Sequence, residues 1–383
     1  MTMLNPDAAL TQRGISPGQS PLHIRDMPRA VRDVLDIRDS VTIPSRHLSP
    51  LRYPGAKSGL SKVIGELVES ASQSIGRPSL FVEPFAGGAS TSLSLASQGL
   101  VDRVLLADAD PLVARFWQVA ASETEWLIDR MHDEPVTLER WDFWRAWQPR
   151  SKDDRDVAVK CLFLNRTTFS GILHGRAGPI GGRKQESAYK IDCRFNKEAL
   201  AERLRYIGEL YRSNRIVDVW CKDWKDTLED VAEWYPQLLP DRVISYIDPP
   251  YINKSSKLYG HSFDPAGGYS SSDGSWENDT AHYQLASYLR HNAQNRWILS
   301  YDNHPALTTN PELYSTSRMT PTKESTRLLR VRAWRISKRL VDLHYSVSSR
   351  FRGRRKELLL TTLPPTRVPL NEQFMPLEFN EDS

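Results

Sequence analysis

Val243-Ile244-Ser245-Tyr246-Ile247-Asp248-Pro249-Pro250-Tyr251 opens as an apolar run rich in β-branched residues, which predicts a buried strand. The strand must stop at the prolines. Pro250 drives Pro249 away from helical geometry, and neither residue can donate to a ladder. Asp248 is thereby fixed at a strand end with the Pro249 carbonyl beside it. Two acceptors facing one pocket suit an amino group carrying two hydrogens, and Tyr251 offers a flat face for a ring. An extruded adenine fits that description. The plain alternative is a strand closed by a Pro-Pro turn with a surface tyrosine, since short motifs also occur by chance.

Upstream, Phe81-Val82-Glu83-Pro84-Phe85-Ala86-Gly87-Gly88-Ala89-Ser90 joins a short strand to a glycine turn, and a helix is expected from Ser90 to Ser97. Glycines here let a backbone approach a ligand closely. The spacing is not that of a dinucleotide fingerprint, and no phosphate-binding lysine follows. The next apolar run, Val104-Leu105-Leu106-Ala107, ends at Asp108. An acid at the tip of the second strand is where such architectures hold ribose hydroxyls; it is equally placed to cap a helix. A ribose-bearing cofactor beside an adenine-sized acceptor site points to S-adenosylmethionine.

With both segments in view, the chain resembles the Dam-like (alpha-class) DNA adenine N6-methyltransferases, over roughly Ser49 to Leu363. Arg52-Tyr53-Pro54-Gly55-Ala56-Lys57 looks like the family's opening cofactor motif. Glu83, Phe85, Gly87 and Gly88 match its glycine turn, and Asp108 its ribose acid. Asn165-Arg166-Thr167-Thr168-Phe169-Ser170-Gly171 is similar to the segment that opens target recognition. Tyr189 to Asp192 and Arg194 to Lys197 resemble the segment that closes it. Asp223 stands in the place of the acid that pairs with the cofactor's adenine. Asp248-Pro249-Pro250-Tyr251 is the catalytic motif, and Arg354 to Leu360 resembles the last strand. The resemblance implies cofactor contacts from Tyr53, Gly55, Lys57, Glu83, Phe85, Gly87, Gly88, Asp108, Asp223 and Asp248. It implies no metal. The chain departs from the family at Ser170, where many relatives carry asparagine, and over Leu173 to Gly182, so no target sequence carries over.

The expected fold is α/β: a Rossmann-like mixed sheet flanked by helices, with an inserted, mainly helical target-recognition domain. Residues 1–48 are expected to form a flexible or partner-binding extension, with a short helix over Pro28 to Ile37. Residues 49–112 supply the first catalytic half and the cofactor site, 113–215 the insertion, 216–363 the second catalytic half, and 364–383 a tail. Trp117, Trp126, Trp141, Trp144 and Trp147 are spaced as core anchors. Residues 171–184 are the loop best suited to groove insertion, and residues 265–278 are a Gly/Ser/Asp stretch that could order over DNA.

A net charge of +4 says little, but its distribution says more: Arg318 to Lys356 holds thirteen Lys/Arg against Glu324 and Asp342. Such a stretch can neutralise phosphates, although charge runs are commonly just solvated faces. The expected contacts to double-stranded DNA are Arg166, Arg176, Arg183, Lys184, Arg350, Arg352, Arg354 and Arg355, the last four projected by a turn between late strands. The three cysteines are too scattered for a disulfide framework or a zinc site. None follows a proline, which excludes ring-carbon cytosine methylation. The few cysteines suggest a reducing cytosol, and with no bilayer-length apolar stretch and no signal-peptide pattern at the N-terminus a cytoplasmic location is expected. The role implied is restriction-modification, phage defence or epigenetic marking, with any cognate nuclease a separate protein. Methylation of cytosine N4, transfer to RNA or protein, and a non-catalytic DNA-binding module remain the alternatives.

Overall fold

In the central strands the apolar runs are short and unbroken because both faces of the sheet are covered, a pattern of parallel strands flanked by helices. β1 (Leu80–Glu83) and β4 (Val243–Ile247) are buried at every position, and β2 (Val104–Asp108) at every position but its last. Burying each such side chain contributes roughly 1.5–3 kcal/mol, and truncating one of them, Ile244→Ala, would cost about 2–5 kcal/mol. The computed structural model describes residues 48–52, 58–150, 153–175, 177–250, 280–303, 307, 314, 316–318, 333–345, 353–364, 368 and 375–376.

Along the chain, α1 (Ser58–Ile75) precedes β1, and α2 (Ser90–Ser97) links β1 to β2. Five helices separate β2 from β3 (Ile216–Cys221): α3 (Pro111–Ser122), α4 (Thr124–Asp133), α5 (Leu138–Ala146), α6 (Asp154–Thr167) and α7 (Lys197–Arg212). α8 (Trp224–Trp234) leads to β4, and α9 (Thr280–His291) to β5 (Arg296–Asp302). β6 (Thr316–Arg318) and β7 (Ala333–Arg335) form a small antiparallel pair. β8 (Ser337–Tyr345), β9 (Gly353–Thr361) and β10 (Met375–Pro376) complete the main sheet.

Among the described residues the main sheet runs β10-β8-β9-β5-β4-β1-β2-β3. β3, β2, β1, β4 and β5 are mutually parallel, and β9 is antiparallel to both β5 and β8. This is the expected Rossmann-like methyltransferase sheet. The chain first builds outward from β1 through β2 to β3, then returns to lay β4 on the other side of β1. That reversal opens a crevice at the carboxyl ends of β1 and β4, where open α/β sheets bind ligands.

The helices between β2 and β3 share one continuous core with the sheet. Phe81, Ile244 and Tyr246 pack in the same cluster as Trp117, Phe163, Leu204 and Ile207. Trp117, Trp141 and Trp144 are buried anchors, as expected, and Trp126 and Trp147 pack partly buried against them. A second cluster gathers Trp297, Leu285, Leu289, Leu358 and Leu360 around β5. All described residues fall within the unit Asp36–Ser383, and among them no helix is long and apolar enough to cross a membrane.

The helices between β2 and β3 also fasten residues 49–52, the stretch that precedes α1. Asn165 accepts the Arg52 N–H at 2.6 Å and donates to the Arg52 carbonyl at 2.6 Å. Arg166 donates to Pro50 O at 2.7 Å, and Arg203 to Ser49 O at 3.3 Å. Gly171, with φ +75°, sits so close that a Cβ would fall 2.5 Å from the Arg52 carbonyl oxygen. Only glycine meets both demands.

Candidate active site

The crevice is lined by acids that strand geometry delivers to one edge. Glu83 ends β1, Asp108 ends β2, and Asp248 directly follows Ile247 of β4. Asp223 follows β3 closely and caps α8, accepting the Lys225 N–H at 2.8 Å. The ends of β2 and β3 are tied by the Lys222 N–H donating to Asp108 O at 3.2 Å.

Glu83 is 4% exposed. Its Oε2 accepts the Ser92 N–H at 3.2 Å and the Ser92 hydroxyl at 2.5 Å. α2 begins after Ala89, which has no side-chain cap to offer, so Glu83 reaches across to satisfy a free N–H in the first turn. Burial pushes the Glu83 carboxyl up to about 8, with the charges of Asp248 and Asp108 adding to the shift.

Asp108 holds the glycine turn. Its Oδ2 accepts the Gly87 N–H at 2.8 Å, and its Oδ1 the Asp110 N–H at 2.9 Å. Gly87 stands at φ +45°, and its carbonyl accepts the Trp117 indole N–H at 2.9 Å. Burial, followed by the Asp110 charge, pushes Asp108 up to about 7. Of the two roles open to Asp108 in sequence, helix capping falls to Asp110, whose Oδ1 accepts the Leu112 N–H ahead of Pro111 at the helix start. Asp223 is likewise raised, mainly by burial.

Asp248 Oδ1 accepts the Ser300 hydroxyl at 2.6 Å, and Ser300 Oγ lies 3.0 Å from the Tyr246 hydroxyl. Pro249 is buried and Pro250 half-buried. Phe85 is half-buried and packs against the cluster around Trp297, while Gly88 is buried. Acids crowded at one edge and raised by burial are matched to a cationic, hydroxyl-bearing ligand, which would favour their ionised form. The edge beside Asp248 is matched to a hydrogen-bond donor.

The remaining expected residues divide. Tyr53, Gly55, Lys57, Tyr251, Arg176, Arg350 and Arg352 lie outside the described residues, as do the extension over 1–47, including its short helix, and residues 265–278. Arg183 and Lys184 are exposed; Arg183 pairs with Asp142 at 2.7 Å and lies 5.0 Å over the Trp141 ring. Arg166 is corrected: it is 7% exposed, a buried anchor for the Pro50 carbonyl rather than a displayed cation. Arg354 and Arg355 are corrected in place, since they do not sit in a turn. They belong to β9, opposite His344 and Leu343, because ladder pairing carries the hairpin out to Gly353. Ser92 and Ser300 escaped sequence reasoning. Each is a common residue 9 and 52 positions from its acid, with no local signal to join them.

A family model described as D12 class N6 adenine-specific DNA methyltransferase matches residues 53–310. The chain is also similar to the Type II methyltransferase M.CviBI of Paramecium bursaria Chlorella virus NC1A, with 31% identity over 96 residues. That match covers 25% of this chain and 35% of the relative, so the chain spans about a third of the curated protein's length.

Proposed function

The chain belongs to the D12 class of N6 adenine-specific DNA methyltransferases, and from that premise we propose that it methylates the exocyclic nitrogen of an adenine flipped out of double-stranded DNA, with S-adenosylmethionine as donor. The observation that carries this reading is Asp248, held by Ser300 at the carboxyl end of β4, facing the same crevice as Glu83 and Asp108.

The residues present fit the cofactor. S-adenosylmethionine brings a methyl group on a positively charged sulfonium, together with ribose hydroxyls and an amino group. Asp108, fixed against Gly87, is placed to accept from the ribose hydroxyls. Glu83 would supply negative charge in the buried floor when ionised, Asp223 would pair with the adenine, and Lys57 of the opening motif would lie near the methionine portion.

Asp248 and the Pro249 carbonyl accept the two amino hydrogens of the target base, which draws electron density onto its nitrogen. Tyr251 stacks on the extruded ring; base-aromatic contacts of this kind are worth about 1–3 kcal/mol. Alignment supplies most of the acceleration, because well-oriented groups react as though at ~10⁵ M or more. Asp248 orients the nitrogen and stabilises the charge that develops on it; a strong base is not needed, since the amino proton becomes acidic once the nitrogen is alkylated. Arg183 and Lys184 on the insertion, with Arg354 and Arg355 on β9 and Arg176, Arg350 and Arg352, contact the DNA backbone. The modification serves restriction-modification, phage defence or epigenetic marking in the cytoplasm.

The test is methyl transfer from labelled S-adenosylmethionine to unmethylated genomic DNA, followed by nucleoside digestion and mass spectrometry, with Asp248→Ala as control. N6-methyladenine that disappears in the control supports the reading. Labelled N4-methylcytosine would keep the chemistry and change the base. Absence of any labelled nucleoside would overturn it.

A further inference from the structure

One side chain joins the insertion loop to the cofactor crevice. His174 Nε2 lies 2.6 Å from Asp110 Oδ2, and the two side chains are only 24% and 19% exposed. His174 belongs to the stretch between Gly171 and Lys184 that carries the exposed Arg183 and Lys184. Asp110 belongs to the crevice: it caps α3 through Oδ1, and its N–H donates to Asp108.

The loop is held on both sides of His174. Arg145 of α5 donates to Leu173 O at 2.9 Å and to Gly175 O at 2.5 Å, and its guanidinium lies 5.4 Å over the Trp141 ring. The backbone around His174 is thereby pinned so that its ring is aimed at Asp110. Hydrogen bonds run without a break from His174 to Asp110, from Asp110 to Asp108, and from Asp108 to the Gly87 turn.

We propose that His174 is a positioning residue that couples the DNA-facing loop to the cofactor pocket, so that DNA and S-adenosylmethionine bind with linked affinities; this rests on the methyltransferase reading above. The physical basis is the shared Asp110 carboxylate. With the loop seated, His174 holds the Asp110 carboxylate by a hydrogen bond, and Asp110 in turn donates its N–H to Asp108. With the loop displaced, Asp110 loses its His174 partner, and the turn that carries the ribose acid loses part of its support. A loop fixed by phosphates then favours the cofactor-competent turn, and by reciprocity the cofactor favours the seated loop.

The experiment is calorimetric titration of the full chain with S-adenosylhomocysteine, with and without sheared unmethylated genomic DNA, for the wild type, His174→Ala and His174→Gln. In the wild type DNA should tighten the ligand by about fivefold or more. The ratio should fall to near one in His174→Ala and return in His174→Gln, whose amide can still donate to Asp110. KM for S-adenosylmethionine should rise in the alanine variant while kcat changes little. Should that variant fail to fold, His174→Asn, too short to span to Asp110, carries the same expectation. A wild-type ratio in His174→Ala or His174→Asn overturns the coupling, and so does a ratio that stays near one in His174→Gln or in the wild type. No ligand binding by the wild type overturns the cofactor reading itself and the coupling with it.

Discussion

Ser300 of β5 donates its hydroxyl to Asp248 at the end of β4, 2.6 Å away, while the Tyr246 hydroxyl lies 3.0 Å from the same Ser300 oxygen. The acid that would meet the target base is thus aimed by a neighbouring strand, and the aim rests on a strand-to-strand register in which Tyr246 faces Ile298 and Ile247 faces Leu299.

Removing that aim should slow turnover more than binding. A hydrogen bond to a charged group is worth about 1.5–3 kcal/mol, so Ser300→Ala should lower kcat about tenfold or more with little change in KM for the cofactor. Asp248→Ala should abolish transfer while S-adenosylhomocysteine still binds. Steady-state methylation assays decide both, and full activity in Asp248→Ala would sink the mechanism.

Asp108 is expected to act on cofactor affinity. Asp108→Ala removes the acceptor proposed for the ribose and releases the Gly87 and Asp110 N–H groups. Titration with S-adenosylhomocysteine should show about tenfold weaker binding or worse. Unchanged affinity would remove the ribose role.

The raised carboxyls predict a pH response of definite sign. Glu83 moves from 4.5 to about 8 and Asp108 from 3.8 to about 7 in the folded protein. Between those values the folded chain binds more protons than the unfolded chain, so stability without ligand should fall as pH rises through this window. The sulfonium charge does not titrate and favours the ionised acids, so S-adenosylmethionine should bind more tightly toward the upper end. Thermal melts between about pH 6 and about pH 9, with and without saturating S-adenosylmethionine, should show a widening gap. A constant gap would count against a cationic ligand at these acids.

The exposed pair Arg183 and Lys184 offers a salt-dependence test. If both neutralise phosphates, replacing both with alanine should reduce the slope of log K against log salt by about 1–2. Filter binding to genomic DNA at several salt concentrations measures it, and an unchanged slope would place the DNA elsewhere.

Asn165→Ala should destabilise the fold by about 2–4 kcal/mol, because it leaves both backbone groups of Arg52 without the amide that now pairs them. Urea denaturation reads the loss.

Strands β1, β2 and β4 were legible because fully buried parallel strands are written as unbroken apolar runs, and the acids at their ends follow from where those runs stop. The placement of Glu83, Asp108 and Asp248 at the carboxyl ends of neighbouring strands could therefore be read from the sequence. What could not be read was which side chain answers which. Ser300 lies 52 residues from Asp248, and Asn165 113 residues from Arg52; contacts at such separations depend on sheet order and helix packing, which leave no local pattern. Arg166 shows the opposite failure. Its charge suggested a partner in solution, whereas helix packing turned it inward onto a carbonyl.

If the helices between β2 and β3 carry target preference, the fastening of residues 49–52 by Asn165, Arg166 and Arg203 bears on how that preference could be exchanged between enzymes of this class. A chimera cut only at the ends of β2 and β3 would import a foreign partner for Ser49, Pro50 and Arg52, and the strap ahead of α1 would come loose. A transplant that changes the site read on DNA without impairing the chemistry must therefore take the strap with the helices. The unit of exchange would then be those helices together with a piece of chain that lies more than a hundred residues away in sequence.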